Sequence, residues 1–275
     1  MSFRGILIAN RGEIAIRIAR AAQDLGLRTV AVYSDDDALS LHTQIADEKI
    51  RLEGAGAAAY LNMEGVIAAA KQADCDAIHP GYGFLSEQDA FAQLCTNAGI
   101  KFIGPSAEHL SLFGDKARAR AAAIAAGVPV MPGLDRSVTL AEAQAFYKEH
   151  PDGIMIKALA GGGGRGTRAV TESDQLEALF ERCQSEAKAA FGISDVYVEA
   201  FMPKARHVEV QIIGDELGSV SNLGERECSA QRRSQMVVEI APAPALDAAL
   251  RIRIIEAATR FAEQECYQSL GTFEF

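Results

Sequence analysis

The chain opens on an apolar run, Gly5-Ile6-Leu7-Ile8-Ala9, continues with apolar positions at helical spacing over 12–27, and then turns β-branched over 29–34. A switch of hydrophobic period from short run to 3.6 and back predicts a βαβ unit. The same reading predicts a helix over 62–72, a strand over 75–78, a helix over 89–98 and a strand over 101–104. Strands alternating with helices in this way build a Rossmann-like parallel-sheet domain, here residues 1–112. An alanine-rich helix is expected over about 107–126, with 113–130 acting as a linker helix that ends in the breaker-rich segment Gly127 to Gly133. Further on, the pattern predicts a helix over 139–149, a strand entering at Ile154, a helix over 173–191 and a strand over 196–202. Residues 207–213 alternate apolar and polar, as a half-buried antiparallel strand does, and the turn at 214–218 leads into a strand over 219–223. The last five residues, Gly271 to Phe275, are apolar and β-prone. Ordered chain ends are usually polar, so this ending is expected to belong to an unfinished strand of a truncated protein.

Between two of these strands lies Gly161-Gly162-Gly163-Gly164-Arg165-Gly166, with Lys157 on the strand before it. Four consecutive glycines carry a large backbone-entropy cost and cannot build a core. Bare backbone N–H groups can, however, approach phosphate oxygens closely, and Lys157 and Arg165 add positive charge. A flexible linker is the competing reading, but linkers are usually Gly/Ser mixtures rather than a glycine block between apolar strands and basic side chains. The block is no P-loop, since no Gly-Lys-Ser/Thr follows and no helix opens from it. Nor is there a dinucleotide fingerprint: the first βα turn, Asn10-Arg11-Gly12-Glu13, holds one glycine where three are needed. A strand–glycine loop–strand of this kind reads as a lid over phosphates.

Composition narrows the partners. A formal charge of −10 argues against nucleic acid, whose backbone demands a basic footprint. No apolar run approaches the ~20 residues that span a bilayer, and the first residues lack the features of a signal peptide. Five scattered cysteines without a CxxC pair read as reduced thiols of a cytoplasmic protein. Arg17 and Arg20 share a helix face that reads as solvated. The loop 79–87, His-Pro-Gly-Tyr-Gly-Phe-Leu-Ser-Glu, sits where open α/β sheets bind ligands, yet a structural turn explains its glycines equally well.

Eight stretches together resemble the biotin carboxylase family, in that family's order and across the whole chain. They are IANRGEIAIRIARA (8–21), HPGYGFLSE (79–87), FIGPS (102–106), GDKARA (114–119), GGGGRGTR (161–168), RHVEVQ (206–211), ERECSAQRR (225–233) and GTFEF (271–275). The resemblance implies an α/β protein with a Rossmann-like N-terminal domain, a glycine-lid subdomain over 131–202 and the start of a C-terminal ATP-grasp subdomain over 203–275. It implies ATP- and bicarbonate-dependent carboxylation of biotin on a carrier domain or protein, through carboxyphosphate, with Mg²⁺ or Mn²⁺. A carboxyltransferase component and a homodimeric full-length enzyme are its further implications. Position by position, Lys116 and Lys157 become phosphate-contacting cations, Gly161 to Gly166 the lid, and Glu199 with the backbone to Met202 the adenine edge. His207 and Gln231 fall on the nucleoside side, Arg233 in the catalytic set, and Glu274 becomes the first acidic ligand of the metal.

The sequence departs from the family at Met236, where a lysine beside bicarbonate and the γ-phosphate is usual. The family's second acidic ligand and its bicarbonate segment have no counterpart in these residues, so the chain taken alone is expected to be inactive. Two other readings stay open: a bicarbonate-activating ligase of the carbamoyl-phosphate synthase type, and a nucleotide-binding module without turnover.

Overall fold

The computed structural model describes residues 3–134, 136–159, 166–232 and 235–275. The chain divides into two compact units: Met1–Gly114 with Gln268–Leu270, and Asp115–Tyr267 with Gly271–Phe275.

The first unit runs β1 (Gly5–Ile8), α1 (Gly12–Asp24), β2 (Arg28–Tyr33), α2 (His42–Ile45), β3 (Glu48–Arg51), α3 (Gly56–Tyr60), α4 (Met63–Gln72), β4 (Ala77–His79), α5 (Asp89–Asn97), β5 (Lys101–Phe102) and α6 (Ala107–Gly114). The strands form a parallel sheet in the order β3-β2-β1-β4-β5. All four residues of β1 are buried, as expected for a strand covered by helices on both faces. Its side chains divide between those faces. Ile8 packs with Ala15, Ile18 and Ala19 of α1, whereas Leu7 joins Val30, Val32, Tyr60, Ile78 and Phe91.

Where β1 ends, buried Asn10 fixes the loop that follows β4: its Nδ2 donates to the carbonyls of Pro80 (2.7 Å) and Tyr82 (2.8 Å). Gly81 lies against that side chain at φ +68°, and a Cβ there would sit 2.7 Å from Asn10 Nδ2. A side chain larger than hydrogen is therefore excluded on both steric and backbone grounds. Gly81 of this loop thus has a structural reason.

The second unit runs α7 (Lys116–Ala125), β6 (Gly133–Leu134), α8 (Leu140–Glu149), β7 (Ile154–Ala158), β8 (Thr167–Val170), α9 (Leu176–Phe191), β9 (Val196–Ala200), β10 (Val208–Gly214), β11 (Val220–Arg232), β12 (Gln235–Ile240), α10 (Ala248–Gln264) and β13 (Ser269–Glu274). The helix expected over 107–126 is two helices. They part at Asp115, whose extended backbone stops α6 and whose carboxylate accepts from Ala117 N (3.0 Å) and Arg118 N (3.1 Å) to start α7. Helix α9 likewise starts late, after a 3₁₀ turn at Ser173–Gln175.

One antiparallel sheet has the order β6-β9-β7-β8, and its apolar face joins α8 and α9 in a core containing Phe146, Ile154, Ile156, Phe180, Cys183 and Val198. The other has the order β12-β11-β10-β13. Here cross-strand register assigns the faces. Val210 lies opposite Glu225, and Glu225 is bonded to Arg251 of α10 (2.8 Å), so this is the helix-covered face. Glu209 lies opposite Arg226 on the other face, which is polar. Among the described residues no helix is long and apolar enough to cross a membrane.

Candidate functional site

Strand β7 alternates Ile154, Ile156 and Ala158 into the core with Met155 and Lys157 away from it. Glu199 of β9 pairs with Met155 and therefore shares the face of Lys157, to which its carboxylate is ion-paired. Lys116, at the first turn of α7, reaches the same strand from the helix side. Its Nζ donates to the Ala158 carbonyl (3.2 Å) and lies 5.4 Å from the centroid of the Tyr197 ring. Burial lowers the Lys116 pKa, and the like charge of Lys157 adds to this, while Glu199 opposes it. Two lysines and one carboxylate thus leave a surplus positive charge in a partly desolvated setting.

The direction of that shift has a measurable consequence. A lysine whose folded pKa is lowered binds fewer protons than in the unfolded chain between that value and the ordinary 10.5. Its charge therefore opposes folding below the window, and stability rises with pH across it. An anionic ligand beside Lys116 pulls the pKa back up. Nucleotide binding at alkaline pH is expected to take up protons, measured as a dependence of calorimetric heat on buffer ionisation enthalpy. Lys116→Met is expected to abolish the uptake; equal uptake in that variant would exclude Lys116 as its source.

Two cavities meet at Glu199. One, of about 560 Å³, is lined by Lys116, Tyr197, Glu199, Phe261, Phe273 and Glu274 among others. The larger, about 910 Å³, has a mostly apolar lining that includes Met155, Met202 and Leu250, with His207 and Gln231 on its wall. Met202 is exposed and lies past the end of β9, which stops at Ala200 rather than running to 202 as expected.

The polar face of the second sheet supplies the rest. His207 Nε2 lies 3.7 Å from a Glu274 oxygen, and His207, Glu209 and Glu274 offer ligand atoms within 4.8 Å of one another. Glu209 is buried and held by Arg226, through Nε at 2.7 Å and Nη2 at 2.5 Å. Buried Cys228 faces Glu209 as well; burial and that carboxylate push its thiol up to about 12, so it stays neutral and is no thiolate ligand. Glu209 is thus already compensated, and Glu274 is the carboxylate left open to a cation. As a hard oxygen donor beside a polyanion-sized cavity, it fits Mg²⁺ or Mn²⁺.

The structure brings Lys116, Lys157, Glu199, Met202, His207, Gln231 and Glu274 together within the second unit. Gly166 caps the loop end, its carbonyl accepting from Ala158 N at 2.9 Å. Gly161, Gly162, Gly163, Gly164, Arg165 and Arg233 lie outside the described residues. Glu209 and Arg226 were not expected in the site. The period-2 pattern of His207-Val208-Glu209 already put Glu209 on the face of His207, and that was the available signal.

A parallel-sheet unit followed by two antiparallel sheets around a lysine-lined cavity defines an α/β ATP-grasp protein. The chain belongs to the family of the carbamoyl-phosphate synthase L chain ATP-binding domain, which matches residues 115–275, and residues 2–110 match the biotin carboxylase N-terminal domain. It is 52% identical over 273 residues to a pyruvate carboxylase of Staphylococcus aureus, covering 98% of this chain and 24% of that protein. It is 49% identical over 277 residues to a biotin carboxylase of Nostoc, covering 100% and 62%. Among solved structures, a biotin carboxylase of Campylobacter jejuni in complex with β,γ-ATP superposes with a TM-score of 0.96 at 44% identity, covering 100% of this chain and 62% of that one. The biotin carboxylase domain dimer of a Hydrogenobacter thermophilus 2-oxoglutarate carboxylase, in complex with MgADP, ADP and bicarbonate, does so with 0.94 at 41%, covering 100% and 61%. The chain therefore spans about a quarter of the pyruvate carboxylase and under two thirds of the biotin carboxylases. The family resemblance expected from the eight motifs is borne out.

Proposed function

We propose that this chain forms the ATP-binding part of a biotin carboxylase, the component that charges carrier-bound biotin with a carboxyl group taken from bicarbonate. The observation that carries the reading is the shared cavity of Lys116, Glu199 and Glu274, with Lys157 bonded to Glu199. Cations and a hard oxygen donor facing one void are what a metal-bound nucleoside triphosphate requires.

In this reading the base occupies the larger apolar cavity, against Met155 and Met202, with the backbone from Glu199 to Met202 at its polar edge. The phosphates lie against Lys116 and Lys157. A divalent cation held by Glu274 would neutralise phosphate charge when bound. A bicarbonate oxygen attacks the γ-phosphorus and ADP leaves, giving carboxyphosphate. The biotin nitrogen then bonds to the carboxyl carbon as the carbon–oxygen bond to phosphate breaks, and its N–H proton leaves with the departing phosphate as hydrogen phosphate. The carrier, a carboxyltransferase component and a second copy of the enzyme are the partners this function needs. Unpaired cysteines support a reducing, cytoplasmic setting.

The N-terminal match favours biotin over other acceptors of activated bicarbonate. In the enzyme that carries this chain, bicarbonate-dependent ATP hydrolysis is expected to be stimulated by free biotin, with labelled bicarbonate appearing in carboxybiotin. Labelled product with an amine instead of biotin would assign the chain to the carbamoyl-phosphate synthase type. No hydrolysis under any condition, with nucleotide bound, would leave a binding module.

A further inference from the structure

The hydrogen bonds around His207 fix which of its nitrogens carries the proton. Gln231 Nε2 lies 3.0 Å from the Cys228 carbonyl and 2.8 Å from His207 Nδ1. A carbonyl oxygen only accepts, so the amide group facing it is the NH₂ end. The second hydrogen of that NH₂ then points at His207 Nδ1, which must accept. A neutral imidazole with an accepting Nδ1 carries its hydrogen on Nε2. That Nε2 is buried, makes no hydrogen bond within normal distance among the described residues, and lies 3.7 Å from Glu274 with Glu209 in the same cluster.

We propose that His207 is a positioning residue and not a metal ligand: Gln231 sets its tautomer, and its Nε2–H holds the Glu274 carboxylate toward the cation. Donation to one carboxylate oxygen leaves the other for the metal and selects one rotamer of an otherwise exposed side chain; Glu274 is 63% exposed. A metal-bound imidazole needs a lone pair at the ligating nitrogen, and here the nitrogen nearest the acidic cluster has none to give. The backbone supports the geometry, since His207 N donates to Ser229 Oγ at 2.7 Å and the next residue, Val208, exchanges both backbone hydrogen bonds with Phe275. His207 and Glu274 are thereby carried on adjacent, directly paired strand ends.

The inference rests on the reading of Glu274 as metal ligand, and the experiment separates the two. In the enzyme carrying this chain, ¹⁵N-labelled imidazole resonances, with His207→Leu to assign the ring, are expected to show the Nε2–H tautomer. It should persist when Mg²⁺ and nucleotide are added. Mn²⁺ binding, followed by electron paramagnetic resonance with nucleotide present, should weaken about tenfold in His207→Leu, the order expected for losing one charge-assisted hydrogen bond. His207→Gln, whose amide can still donate, should recover part of the loss. A proton on Nδ1, or an Nε2 that loses its proton when metal binds, would overturn the positioning role while leaving Glu274 a ligand. Unchanged Mn²⁺ binding in Glu274→Gln would overturn the metal reading, and with it the inference.

Discussion

Lys157→Ala, made in the enzyme that carries this chain, is expected to weaken ATP by about one to two orders of magnitude. A hydrogen bond from a cation to phosphate contributes roughly 1.5–3 kcal/mol, and each 1.4 kcal/mol is a factor of about ten. The ion pair with Glu199 makes the effect larger than loss of one contact. Without Lys157, the Glu199 carboxylate, 17% exposed, loses its ion-pair partner next to the phosphates and repels them. Glu199→Gln in the same molecule should therefore restore part of the affinity lost in Lys157→Ala, a coupling that a double-mutant cycle isolates. Unaltered nucleotide dissociation constants in Lys157→Ala would return this lysine to the class of solvated strand residues. A purely additive cycle would mean that Glu199 keeps its distance from the phosphates.

That ion pair also marks where sequence reasoning stopped. Apolar patterning placed Lys157 on the strand before the glycine block, and the first sheet followed from a repeated βα pattern. What alternation cannot supply is the neighbouring strand's register. That β9 sets Glu199 opposite Met155, and so beside Lys157, is a tertiary fact. The break at Asp115 was hidden for a different reason. Alanine-rich sequence on both sides favours helix, and one Asp accepting two backbone N–H bonds outweighs it locally. Although the motif at 225–233 was recognised, no strand was expected between 224 and 270, because β11 carries Glu225, Arg226 and Glu227 in succession, which no strand pattern anticipates. The faces resolve this: Glu225 serves Arg251 beneath the sheet, whereas Arg226 serves Glu209 above it. Helix α10 was not expected, although Ala257, Ala258, Phe261 and Ala262 stand at helical spacing and bury one face behind an Asp247 cap.

The polar face of that sheet bears on the departure at Met236. This residue lies on β12, the edge strand, directly opposite Gln231, and is 45% exposed. Its neighbourhood therefore includes the glutamine that orders His207, while its own side chain supplies neither charge nor donor. In the proposed reaction, carboxyphosphate formation drives an anion against the γ-phosphate, and a cation between them lowers both the repulsion and the charge of the transition state. Loss of one such electrostatic group typically costs on the order of 10²–10³ in turnover. Arg233, which lies outside the described residues, matches an arginine the biotin carboxylases already have beside their lysine, so it is no new replacement. The expected consequence is an enzyme impaired in the bicarbonate step with nucleotide binding retained. Met236→Lys should then raise bicarbonate-dependent ATP hydrolysis by about tenfold or more, on that same electrostatic scale, with ATP affinity little changed. Exposure at an edge strand makes the substitution cheap to the fold, within about 0.5 kcal/mol, so a changed melting temperature would not account for the gain. If the methionine enzyme already turns over at a rate that lysine cannot improve, another basic group has taken over the role, and the impairment reading is wrong.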